Sequence, residues 1–139
     1  MRFTPIIAAL TLALAACVNT NAAVLNPEIK RNPVCPNGVA LFLSPDRVAT
    51  EYEEVALLNS TGETSWTSEE GMVNSQRKKA ASLGANGIIL GNVNEPNAGT
   101  KIIGSILGTG SERKGKAVAI WIPADTTRVR TACDSKTPK

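Results

Sequence analysis

Three cysteines and no histidine set the side-chain chemistry open to this chain. Without imidazole there is no Ser-His-Asp triad, no Cys-His dyad and no histidine-ligated metal. Cys17, Cys35 and Cys133 are far apart and none belongs to a C-x-x-C pair, which argues against thiol redox catalysis. The run from Gly110 to Ala117 imitates a phosphate-binding P-loop, G-x-x-x-x-G-K-[ST], and fails twice. Ala117 stands where a magnesium-holding hydroxyl is needed. The residues that follow, Val118 to Ile122, read as a strand, whereas phosphate binding needs a helix N-terminus. A hairpin turn is the expectation there. Asp46, Glu51, Glu53 and Glu54 lack calcium-loop spacing and read as a solvated acidic face. The expectation is a protein without catalytic residues, cofactor or metal.

The first cysteine has a distinctive context. Arg2 supplies a positive start, and Ile6 to Ala16 is an uncharged apolar run. A spanning helix needs roughly 17–25 such residues, so residues 1–16 read as a signal peptide rather than a membrane span. The run ends in Leu14-Ala15-Ala16-Cys17, which resembles a bacterial lipobox. That resemblance implies acylation of Cys17, which would become the first residue of the mature chain. It also implies outer-membrane sorting, since Val18 rather than Asp follows. A competing small-residue cut lies after Ala22 or Ala23. Two or three acyl chains, at about 0.8 kcal/mol per buried methylene, would make a permanent anchor.

Removing Cys17 from the count leaves Cys35 and Cys133. In an oxidising periplasm these two are expected to pair, the alternative being two unpaired thiols. Closing a loop of about 100 residues could stabilise by up to roughly 4.7 kcal/mol in the chain-entropy model.

The elements that must position these groups follow from pattern. The chain has 139 residues, 42% of them hydrophobic and 19% charged, the balance of one small globular domain. Aromatics are 4%, so aliphatic residues and alanine must build the core. Residues 17–37, rich in Asn and Pro, read as a lipidated cysteine and flexible tether. The globular domain is placed at 38–123, and 124–139 reads as a polar tail tied by Cys133. Strands are expected at Val39–Leu43, Tyr52–Asn59, Ile88–Leu90, Lys101–Leu107 and Lys116–Ile122. A loop is expected at Gly91–Gly99. Thr67-Ser68-Glu69-Glu70 reads as a capping box with Thr67 as the cap. It opens a helix whose inner face carries Met72, Val73, Ala80 and Leu83, and Gly84 is placed to end it in left-handed conformation. The fold class expected is α+β: a small, mostly antiparallel sheet with one main helix on one face.

Net charge is +3, too small to imply nucleic acid, but it is unevenly spread. Residues 46–70 hold seven acids against Arg47, and residues 113–139 hold seven bases against Asp125 and Asp134. Arg113, Lys114 and Lys116, in or beside the expected turn, are the candidate interaction surface. Their partner would be an acidic envelope protein or anionic lipid headgroups.

Tyr52 to Leu58, Arg77 to Leu90 and Glu112 to Trp121 together look like small Gram-negative lipoproteins. Their domains resemble those of the RcsF envelope-stress lipoprotein and YbjQ-like proteins. The shared feature is a helix ending in A-x-x-L-G-A-N before three apolar residues, carried here by Ala80 to Leu90. RcsF-type domains hold more paired cysteines than the two available here. The resemblance implies an outer-membrane-anchored, periplasm-facing interaction or envelope-sensing module. The alternative is a periplasmic module for a small ligand or metal.

Overall fold

A computed structural model describes residues 18–63, 67–94 and 112–135. Five strands form one sheet: β1 (Asn19–Val24), β2 (Ala40–Phe42), β3 (Glu53–Glu63), β4 (Gly87–Asn94) and β5 (Glu112–Trp121), in the order β1-β3-β5-β4-β2. All neighbours are antiparallel except β2 and β4, which run parallel. Helix α1 (Glu69–Ser82) packs on one face, and a shorter helix, α2 (Thr126–Asp134), follows the sheet. The fold is α+β. The strand expected at Lys101–Leu107 lies outside the described residues.

Small side chains set the distance between α1 and the sheet. Met72, Gln76, Ala80 and Ala81 are the buried positions of the helix, while Val73 and Leu83 are only half-buried. Ala80, Ala81 and Ala85 meet Ala56, Leu58, Ile88, Ala117 and Ala119, so alanine faces alanine through much of this core. The opposite face of the sheet is covered at one end. There Ile89, Ile120 and Ile122 pack under Phe42, Val48 and Tyr52 from β2 and the β2–β3 connection.

Both ends of α1 obey local rules. Ser68, one residue later than expected, is the N-cap, its Oγ accepting from the Gly71 N–H at 3.0 Å. Thr67 is instead buried over Gly62, where an added Cβ would come within 2.6 Å of its hydroxyl oxygen. Its side chain fills the angle between strand and helix and cannot also cap. At the other end Gly84 has φ +76°, and a Cβ there would lie 2.8 Å from the Asn32 carbonyl.

Three expectations need correction. Residues 19–24 are not a tether: β1 pairs with β3 over six positions, from Asn19 opposite Thr61 to Val24 opposite Ala56. Thr20 Oγ1 lies 2.8 Å from Ser60 Oγ and 2.6 Å from Ser75 Oγ, so a hydroxyl cluster, not apolar alternation, fixes the strand beneath α1. The chain then wraps the domain, through an Arg31–Glu53 ion pair and Val34 N–H donating to the Ala81 carbonyl at 3.0 Å. Residues 124–135 are likewise not a loose tail but a 3-10 turn at Pro123–Asp125 followed by α2. Gly91 to Asn94, expected to be loop, continue β4 past a register shift.

Asn86 joins these pieces. It is fully buried, and its amide grips the backbone of Ile122, donating to the carbonyl at 2.8 Å and accepting from the N–H at 2.7 Å. Its own carbonyl accepts from Ala40 N–H at 2.9 Å and from Arg128 at 3.0 Å. In Asn86→Ala the Ile122 N–H loses its acceptor within the core. Stability should fall by about 2–4 kcal/mol, from the unmet donor and the cavity, read as a lower urea midpoint with unchanged slope. Gly84→Ala should cost about 1–2 kcal/mol for positive φ alone, with overlap on Asn32 adding to it. A melting temperature equal to wild type would contradict the chain path described.

Candidate functional site

Cys35 and Cys133 are joined, with Cα atoms 5.7 Å apart and a sequence separation of 98. Cys35 precedes a 3-10 turn at Pro36–Gly38, and Cys133 lies in the last turn of α2. The helix has no buried residue and no side-chain cap, and nine residues are too few to hold a helix in water unaided. The disulfide ties its far end. Arg128 ties its near half, donating from Nη1 to the Gly38 carbonyl at 3.1 Å and from Nε to Asp125 at 2.9 Å. Arg128 thus belongs to the scaffold rather than to a basic surface.

The three basic residues chosen from sequence do not act together. They lie in β5, not in a turn, and a strand sends alternate side chains to opposite faces. Arg113 is half-buried on the α1 side and donates from Nη1 to the Thr67 carbonyl at 3.0 Å, clamping the β3–α1 connection. Lys114 and Lys116 are exposed on the opposite face, in register with Thr61 and Asn59 of β3. The signal for this split is present in the sequence, because a strand reaching back to Glu112 separates Arg113 from its neighbours.

The face bearing the two lysines also carries a shallow groove of about 430 Å³, lined by Leu57, Asn59, Ile89, Lys116 and Val118. Leu57 is 44% exposed there. Two register positions beyond Lys114, on the same face, Glu63 stands opposite Glu112, both exposed. The positive charge of the lysines is therefore offset at the end of the sheet where β1 begins. Among the described residues, no group of three or more Cys, Asp or Glu could hold a metal ion.

Cys17 lies outside the described residues, but its neighbour Val18 does not. An added Cβ on Gly71 at the start of α1 would sit 4.0 Å from Val18 Cγ2, and Asn19 is already paired with Thr61. Val18 thus lies at the end of the sheet where α1 starts. Among the described residues no helix is long and apolar enough to cross a membrane.

No protein-family model matches the chain, and no curated protein matches it. In structure it is similar to the Francisella virulence factor FvfA, in that protein's orthorhombic crystal form. The TM-score is 0.53 at 14% identity, over 73% of this chain and 96% of that one. At this identity the likeness concerns the fold.

Replacing both Cys35 and Cys133 by Ala should remove up to about 4–5 kcal/mol of stability and free α2. Limited proteolysis followed by intact mass should then show cleavage after Pro123 in the variant and not in the oxidised protein. Equal protection in both would mean that Arg128 alone holds the helix.

Proposed function

We propose that this protein is a non-enzymatic lipoprotein of the bacterial envelope, anchored through Cys17 to the outer membrane and facing the periplasm. In this reading it presents the outer face of β3 and β5 to an acidic envelope protein. The observation that carries the reading is Leu14-Ala15-Ala16-Cys17, two residues before β1. An oxidising compartment suits the Cys35–Cys133 disulfide. The likeness to RcsF and YbjQ-like domains in the Ala80–Leu90 segment points the same way.

The geometry of the anchor favours a protein partner over lipid headgroups. Two residues span at most about 7 Å, so acyl chains on Cys17 would hold the domain against the bilayer. Asn19, Thr61 and Lys114 form one row across the sheet, and at about 4.8 Å per strand Lys114 lies roughly 10 Å from the start of β1. Glu63 and Glu112 are two residues nearer the sheet end, and Glu69 and Glu70 open α1. These carboxylates belong to the same end and offset its attraction for anionic lipid. Lys116 and Leu57, further along the sheet, remain as a mixed cationic and apolar surface.

Labelled palmitate should enter the wild type and not Cys17→Ser, and the wild type should fractionate with outer membranes. Label in both, or in neither, would remove the anchor from the account. In intact-cell crosslinking, Lys114→Glu/Lys116→Glu should lose most of the wild-type adducts at physiological salt. Salt-sensitive binding to anionic vesicles that this reversal abolishes would instead assign the surface to lipid.

A further inference from the structure

Beside the disulfide lies a second pocket, of about 330 Å³, lined by Cys35, Pro36, Asn37, Asn74, Arg77, Lys78 and Cys133. Asn74, Arg77 and Lys78 share one side of α1, being three and four residues apart. The disulfide and Pro36 form a rigid apolar wall opposite them. Among the described residues Arg77 and Lys78 make no ion pair and no carboxylate lines the pocket.

Arg77 adds an independent sign. Its Nε–H is buried and has no hydrogen-bond partner among the described residues. A buried donor without an acceptor is costly, and each such group in a native protein calls for an explanation, an ion or water beside it among them. Guanidinium, ammonium and two primary amides together form a donor-rich set. A planar guanidinium fork matches phosphate or carboxylate oxygens two at a time, and a neighbouring ammonium adds a point charge. The volume exceeds that of an inorganic ion alone and falls at the lower end of the range for small-molecule sites.

We infer that this pocket binds a small organic anion. Its phosphate or carboxylate group would sit on Arg77 and Lys78, and its polar body between Asn37 and Asn74 against the disulfide. The inference gives the small-ligand alternative a definite chemistry. It does not rest on acylation of Cys17 or on the Lys114–Lys116 surface, which lies on the other face of the sheet. Because Cys35 and Cys133 are two of the walls, affinity depends on their being joined.

The test is an amide-resolved NMR titration of the full chain in detergent micelles. The probes are inorganic phosphate, glycerol phosphate and succinate. The first two test the phosphate group without and with an organic body, and succinate tests the carboxylate. Saturable shifts should centre on Asn37, Asn74, Arg77 and Lys78 for at least one organic probe, with inorganic phosphate weaker. Arg77→Gln/Lys78→Gln should weaken binding by about tenfold or more, as expected for loss of charge-assisted hydrogen bonds, whereas Lys79→Gln should leave it unchanged. Asn74→Leu, which fills the pocket without removing charge, should weaken it as well. Shifts that never saturate, that centre on Lys114 and Lys116, or that persist unchanged in the Arg77/Lys78 double variant would overturn the assignment. The spectrum of each variant reports its folding in the same experiment.

Discussion

The fold depends on the buried amide of Asn86. In a core built from alanine, isoleucine and leucine, one primary amide occupies the point where β4 begins and β5 ends. It behaves as a spare peptide group, pairing with both backbone atoms of Ile122 after the regular ladder has stopped. Its main-chain carbonyl is shared by Ala40 of β2 and Arg128 of α2. Three other stretches of chain thus converge on one residue. Apolar substitution could not serve here, because the Ile122 N–H would be desolvated with no acceptor.

Two further constraints follow from that point. Gly84, two residues earlier, must turn the chain in left-handed conformation so that Asn86 enters the sheet rather than extending the helix. Arg128 must come over the Asn86 carbonyl, which places α2 over the Pro36–Gly38 turn and brings Cys133 to Cys35. The disulfide therefore closes an arrangement that hydrogen bonds already define. It ties a helix with no buried residue to a turn 98 residues earlier, a long loop whose open-chain entropy is large.

Sequence showed the parts governed by local physics. The helix is marked by hydroxyl and acidic residues at its start and by Gly84 at its end. β3, β4 and β5 are marked by apolar runs, although each extends further than its apolar centre. The cysteine pair followed from parity and context. Tertiary contacts decided the rest. β1 turns only the small Ala22 to the core as an apolar contact and is a strand because Thr20 finds Ser60 and Ser75 and because β3 offers an unpaired edge. α2 carries no buried side chain and exists through Arg128 and Cys133. Of the candidate surface, Lys114 and Lys116 share an exposed face, while Arg113 is claimed by the Thr67 carbonyl. Asn86 and Arg77 were overlooked because one asparagine in a turn and one arginine on a helix look ordinary until burial singles them out.

The way β1 enters the sheet also sets how the domain meets mechanical load. Tension applied at residue 18 reaches the protein through a six-residue antiparallel register with β3, backed by the hydroxyl cluster under α1. Force along the strand loads those backbone bonds in shear, so they must yield together. Force across the sheet peels them one pair at a time from Asn19 onward. The same domain is therefore stiff in one pulling direction and compliant in the other.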